Sequence, residues 1–256
     1  MNYREKIRVI PKLEIKNENL IKGIKFDGLR AIGDPIKFAK KYYEAGADQI
    51  IIHDIVASLY GRKNIYEIVK KISEDIFIPI TVGGGIRTIN DVKNLLSSGA
   101  DRVFINSAAI LNHNIIEQII ELFGKQFLTI SIEVKKIDNE YYCMYDHGKE
   151  KSPYKLNEWL EKIKHYDIGE YLISSIDDDG CMKGFDIELV KLIKKFDFKN
   201  QILISGGISS QSHIEEIIKN YYPSGLVIGA GLHFDRVTIN DLKNYLGNLN
   251  CNINRL

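Results

Sequence analysis

The sequence predicts an α/β fold, a closed (β/α)8 TIM barrel built from two similar half-barrels. Three observations point to it. Short β-branched runs alternate with amphipathic stretches along the whole 256-residue chain. The runs are apolar almost without alternation, as strands covered on both faces are. The chain also repeats itself: IPITVGGGIRTINDVKNLLSSGADRVFINSAAI, from Ile78, parallels QILISGGISSQSHIEEIIKNYYPSGLVIGAGLHF, from Gln201, and RVIPKLEIK, from Arg8, parallels FLTISIEVK, from Phe127. A repeat of half the chain implies two four-unit halves, and the length suits one such barrel. An open doubly wound sheet is the structural alternative.

The first strand is read at Ile7–Ile15. The long segment after it, Lys16–Gly33, holds Gly23, Gly28 and Gly33 and is expected to form a lid, because long βα loops lie on the catalytic face of such barrels. Pro35–Ala45 is the first amphipathic helix. Strands at Gln49–Asp54, Ile78–Val82 and Arg102–Asn106 follow, with helices at Ile65–Ser73, Ile89–Ser98 and Asn114–Phe123. In the second half, strands at Phe127–Glu133, Glu170–Ser174, Gln201–Ser205 and Gly225–Gly229 alternate with helices at Leu156–His165, Ile187–Lys195 and His213–Asn220. Lys135–Lys155 exceeds ordinary loop length, and its alternating YYCMY predicts a small β-hairpin ending at Asp146-His147-Gly148-Lys149. No Pro/Gly/Ser linker divides the chain, so one domain over residues 1–256 is expected.

Composition excludes several classes. Lys and Arg total 35 against 34 Asp and Glu, a formal net charge of +1 without a long basic run, so no nucleic-acid partner is expected. Cys143, Cys181 and Cys251 lie far apart with no CxxC pair, which argues against a disulfide framework or a zinc site and suits a reducing cytoplasm. There is no signal-peptide core and no apolar stretch of membrane-spanning length, so a cytoplasmic protein with no membrane partner is expected. Neither metal nor cofactor is expected.

The glycines and carboxylates carry the chemistry. Gly83-Gly84-Gly85 closes the third strand and Gly206-Gly207 the seventh; glycine there lets backbone N–H groups approach an anion with no Cβ in the way. Each is followed one βα unit later by a second strand end, Asn106-Ser107 and Ala230-Gly231. Loops at these positions often bind phosphate in such barrels, and here the arrangement occurs twice. Two phosphate sites imply an elongated bisphosphate across the barrel mouth. At the centre of that mouth stand the ends of strands one and five, each with a carboxylate, Glu14 and Glu133. Opposed carboxylates suit general acid and base work on a substrate held between them. A carboxylate paired with a neighbouring lysine, Lys16 or Lys135, for stability is the weaker reading.

The motifs RVIPKLEIK, LIKG, IIHDIVAS, PITVGGGIR, GADRVFINSAA, GEYLISSIDDDGCMKGFD, SGGI and LHF, in that order, cover most strand ends. In them the sequence resembles the cyclase subunit of imidazole glycerol phosphate synthase over essentially the whole chain. The resemblance implies a heterodimer in which a glutaminase docks below the barrel and ammonia passes through it. At the top the ammonia would attack a ribulosyl bisphosphate, giving imidazole glycerol phosphate and an aminoimidazole carboxamide ribotide for histidine biosynthesis. By motif position the acid–base pair falls on Glu14 and Glu133. Lys22 falls on a substrate-contacting loop lysine, Asp54 near the first carboxylate and Asp179 near the second. Gly84, Gly85, Asn106, Ser107, Ser174, Gly180, Gly206, Gly207, Ala230 and Gly231 fall on the substrate and phosphate cradles. Arg8, Gln49, Arg102 and Glu170 fall on a charged gate at the bottom, and Asp101 on a docking position.

Three departures stand out. The resemblance places aspartates where Glu14 and Glu133 stand, and one methylene displaces a carboxylate by more than about 1 Å, enough to cost roughly 10²-fold in rate. Lys12 replaces a cysteine, on a side chain that could point away from the centre, and Gln49 replaces a gate glutamate. VASLYGR and SIEVK look like divergent copies associated with surface-polysaccharide synthesis. An alternative is therefore a paralog that activates a glutaminase and channels ammonia to a sugar amidotransferase, with little cyclase activity. The sister isomerase of histidine synthesis shares the duplicated halves but not DIVAS or SIDDDGCMKGFD.

Overall fold

A computed structural model describes residues 6–55, 63–196 and 199–254; VASLYGR lies outside the described residues. The chain runs β1 (Arg8–Lys16), β2 (Asn19–Ile24), β3 (Asp27–Gly33), α1 (Pro35–Glu44), β4 (Ile50–Asp54), α2 (Lys63–Asp75), β5 (Ile80–Gly83), α3 (Ile89–Ser97) and β6 (Arg102–Ile105). It continues through α4 (Ser107–Leu111), α5 (Asn114–Phe123), β7 (Leu128–Ile137), β8 (Glu140–Tyr145), β9 (Glu150–Lys155), α6 (Leu156–Ile163) and β10 (Glu170–Ser175). It ends with α7 (Ile187–Lys195), β11 (Gln201–Ser205), α8 (Gln211–Asn220), β12 (Gly225–Ile228), α9 (Ala230–His233) and α10 (Ile239–Asn248), the last a helix absent from the sequence reading.

Eight strands, β1, β4, β5, β6, β7, β10, β11 and β12, pair in parallel, and β7–β10 and β12–β1 pairing closes them into a barrel. The helices start where their sequences stop them fraying. Asp34 accepts from the Ile36 and Lys37 N–H groups ahead of α1, and Thr88 forms a capping box with Asp91 at α3.

Strand pleating sorts side chains into two sets. Val9, Leu13, Ile50, Ile52, Val82, Ile130, Ile173 and Ile204 face outward into the main core beneath the helices. Ile10, Ile51, Phe104, Leu172, Leu203 and Val227 face inward and form a separate apolar layer across the barrel interior. Lys12 and Glu14 share the inward parity of Ile10, so Lys12 points into the centre rather than away from it.

Lys16–Gly33, expected to form a lid, is regular in structure. It is the antiparallel hairpin β2–β3, paired to β1 with Glu14 opposite Ile21. Its turn puts Lys25 and Phe26 at φ 54° and 64°, the left-handed pair that a two-residue primed turn requires and that Asn-Gly usually supplies. The predicted second hairpin forms as β8–β9 on the extension of β7, with residues 146–149 at its tip. Both hairpins fold over the barrel mouth, where Phe26 packs on Met144 and Ile176.

Trp159 on α6 is fully buried and stacks on Tyr154 at 5.3 Å between centroids. Trp159→Ala is expected to lower unfolding free energy by about 3–5 kcal/mol in denaturant titrations; a loss below about 1 kcal/mol would mean α6 does not anchor the second hairpin's return to the barrel.

Candidate functional site

Two clefts open at the carboxy-terminal face. The first has a volume of about 460 Å³ and is bordered by His53, Asp54, Gly84, Gly85, Arg87, Asn106, Ser107, Glu133 and His147, among others. The second is narrow and is bordered by Asp179, Gly180, Ser205, Gly206, Gly207, Ala230 and Gly231. Their backbones match across the pseudo-two-fold. Gly84 and Gly85 have φ 103° and 58°, and Gly206 and Gly207 have 132° and 70°. The residues preceding α4 and α9, Asn106 and Gly229, have φ/ψ of −127/−77° and −104/−90°. A Cβ on Gly84 would stand 2.0 Å from the Asp54 carbonyl oxygen and one on Gly207 1.9 Å from that of Gly184, so only glycine fits either bend.

Between the clefts runs a buried chain of alternating charge. Lys12 Nζ lies 3.0 Å from Glu14 Oε1, Lys22 Nζ donates to Glu14 Oε2 at 2.7 Å, and Lys22 Nζ also donates to Asp179 Oδ1 at 2.6 Å. Burial raises the Glu14 carboxyl, but Lys22 and Lys12 outweigh it and hold it well below the usual carboxylate range. Asp179 is raised by burial, which the charge of Glu14 reinforces and the pull of Lys22 and Lys12 does not overcome. Burial lowers Lys22, yet Glu14 and Asp179 hold it above its ordinary value.

Glu133 sits in a different setting. Burial pushes it from 4.5 up to about 7, against the pull of Lys12 and hydrogen bonds from the Gly148 backbone and Asn106 side chain. Ser174 lies beside it in register on β10. Around it His53, Glu133 and His147 each place a donor atom within 4.8 Å of the others. Burial, helped by Lys12, keeps His53 well below 6.5, and burial drops His147 to about 4, so both rings are neutral at pH 7.

The two carboxylates at the mouth therefore differ in protonation, the pattern of an acid–base pair, and they lie in the barrel interior between two glycine-walled clefts. Over residues 8–238 the chain matches the model of a family described as "Histidine biosynthesis protein". It is 36% identical over 239 residues to imidazole glycerol phosphate synthase subunit HisF of Natranaerobius thermophilus, covering 93% of this chain and 95% of the relative. It is 45% identical over 203 residues to that of Legionella pneumophila (79% and 95%), and 37% identical over 246 residues to that of Campylobacter concisus (96% of each).

The chain belongs to the HisF family.

That membership supports the cyclase reading and lends nothing to the sugar-amidation alternative. HisF proteins are named as subunits, which points to a complex with a partner chain. No helix among the described residues is long and apolar enough to cross a membrane.

Most of the predicted HisF-type site residues come together, with changes of neighbour. Asp179 joins Glu14 through Lys22, while Asp54, paired with Ile15 on the neighbouring strand, also borders the cleft that holds Glu133. Lys22 lies on a strand, 5% exposed, and not on a loop. Neither Lys16 nor Lys135 pairs with the carboxylates; both side chains are exposed. At the opposite end, Arg8 donates to Gln49 Oε1 at 2.7 Å and to Glu170, and Arg102 Nη1 stands 3.6 Å from Glu170 Oε2. Thr81, Thr129 and Gln201 complete this ring through bonds to Gln49, Glu170 and Arg8. Asp101 lies at the rim, where its carboxylate accepts from the Ile80 N–H at 2.8 Å.

The sequence reading missed Thr81, Thr129 and Gln201, which strand parity with Arg8 would have flagged. It also missed Lys12, His53 and His147. The two histidines are remote in sequence, and closure of the barrel under the β8–β9 tip brings them to Glu133.

Glu133 has a stability consequence. Between an unfolded value near 4.5 and a folded value of about 7 the native state keeps a proton that the unfolded chain has released. The stabilisation this gives is complete below 4.5 and is lost as pH rises through about 7. In chelator-treated protein, Glu133→Gln is expected to gain up to about 3 kcal/mol relative to wild type as pH rises from about 5 to about 8. Urea titrations at both pH values check this, and a pH-independent difference would contradict it.

Proposed function

We propose that the chain is the lyase-cyclase half of a glutamine amidotransferase complex, using ammonia to convert a ribulosyl bisphosphate to imidazole glycerol phosphate and an aminoimidazole carboxamide ribotide. The observation that carries this is the pair of buried carboxylates, pushed apart in pKa, between two glycine-walled clefts in a HisF-family chain. One phosphate of the substrate takes the cleft of Gly84, Gly85, Asn106 and Ser107. The other takes that of Gly180, Gly206, Gly207, Ala230 and Gly231. The reacting centre then lies over the barrel axis.

There Glu14, ionised between two ammonium groups, accepts a proton, and Glu133, titrating near neutrality, both gives and takes one. Each longer side chain is held at its carboxylate, Glu14 by Lys12 and Lys22, Glu133 by Gly148 and Asn106, which fixes the reach that the extra methylene would otherwise loosen. Lys22, which donates to Glu14 and Asp179 at once, presents its ammonium to the substrate between them; Ser174 and Asp54 line the walls. Neutral ammonia crosses the apolar layer of Ile10, Ile51 and Leu172 more readily than ammonium would, because moving an ion into that layer carries the full desolvation penalty. Arg8, Gln49, Arg102 and Glu170 form its entry, and a glutaminase docks over them.

With the ribulosyl substrate and free ammonium, turnover is expected in wild type, with Glu14→Gln and Glu133→Gln each slower by about 10²-fold or more. Absence of turnover in wild type, or unchanged rates in both variants, would overturn the assignment. For docking, Asp101→Lys is expected to weaken glutaminase capture and activation, while Asp101→Asn, which keeps an acceptor for the Ile80 N–H, separates the charge from the local bond. Equal capture by wild type and Asp101→Lys would place the partner elsewhere.

A further inference from the structure

We propose that His53, Glu133 and His147 form a binding site for one zinc ion in the wall of the larger cleft. The three donor atoms already lie within 4.8 Å of one another. Tetrahedral zinc with bonds of about 2.0–2.1 Å spaces its ligand atoms roughly 3.3 Å apart, so side-chain rotation need close the set by at most about 1.5 Å.

The donors are not otherwise engaged. His53 Nδ1, Glu133 Oε2 and both ring nitrogens of His147 are shut off from solvent and have no hydrogen-bond partner. Buried polar atoms are rarely left so, and their convergence on one point is what a ligand set looks like before the ion arrives. Had the two imidazoles been mere aromatic filling, with His147 stacked on Phe26 at 4.7 Å and His53 edge-on to Phe104 at 5.1 Å, their nitrogens would not have to face a carboxylate oxygen.

The second layer fits as well. Glu133 is oriented by the Gly148 N–H and Asn106, as ligating carboxylates usually are. Lys12 and Lys22 are matched by Glu14 and Asp179, which leaves the positive charge of Lys149 beside His147 as the one an arriving dication must overcome. Two imidazoles and one carboxylate suit zinc, and three protein ligands leave a fourth position open to the cleft. An ion held here takes the carboxylate assigned above to proton transfer, so occupancy and that role exclude each other. Metal binding is read without substrate, and its outcome is therefore separable from that of the cyclase assay.

The test uses the full chain stripped with chelator and titrated calorimetrically with zinc chloride. One ion per chain is expected, and His53→Leu and His147→Ser should each weaken binding at least ~100-fold, the upper end of what outer-layer partners alone contribute. Circular dichroism checks that the variants fold. Should either fail to fold, X-ray absorption at the zinc edge of the wild-type protein reads the ligands directly, and two imidazoles are expected. No stoichiometric binding, binding unchanged in folded histidine variants, or an edge spectrum without imidazole would overturn the site.

Discussion

Closure of the sheet through the β7–β10 and β12–β1 pairings is the constraint on which the site rests. A closed parallel sheet has no free edge, and pleating then forces alternate residues of all eight strands into one enclosed space. That space is layered. Arg8, Gln49, Thr129, Glu170 and Gln201 fill the bottom, Ile10, Ile51, Leu172 and Leu203 the middle, and Lys12, Glu14, His53, Glu133 and Ser174 the top. A one-residue slip in any strand would exchange its polar interior residues with the aliphatic ones under the helices, so register is pinned by both layers at once.

Within this frame the two halves share a backbone and differ in chemistry. Each first strand is prolonged by a hairpin, β2–β3 on β1 and β8–β9 on β7, and each hairpin brings side chains to its own carboxylate. On the Glu14 side they bring Lys22, and on the Glu133 side His147 and the Gly148 N–H. An ammonium stabilises the anion, whereas neutral imidazoles do little to offset burial. This difference, rather than any difference between the carboxyl groups, separates their protonation.

The buried chain Lys12–Glu14–Lys22–Asp179 is costly to desolvate, and removing one member leaves another charge buried without its partner. It ties β1, the β2–β3 hairpin and the loop after β10 together. That loop is also held by the Lys25 N–H donating to the Asp179 carbonyl at 2.8 Å. The hairpin expected as a lid is anchored by these charges and by Phe26 beneath it. Its turn escaped notice because Lys25-Phe26 carries no Asn or Gly signal for the left-handed conformation it adopts.

By itself the sequence determined the barrel, its duplication, the paired glycines at Gly84-Gly85 and Gly206-Gly207, and the placement of Glu14 and Glu133 at equivalent strand ends. Those features are local or periodic: apolar runs, glycine at a bend and a repeat are written in neighbouring residues. Tertiary structure alone decided which groups surround each carboxylate. Lys12 reaches Glu14 because β1 pleats it inward, Asp179 reaches the same carboxylate only across Lys22, and His53 and His147 meet Glu133 from a separate strand and a hairpin tip. Burial and the sign of the nearest charge set protonation, and both depend on where distant segments come to rest.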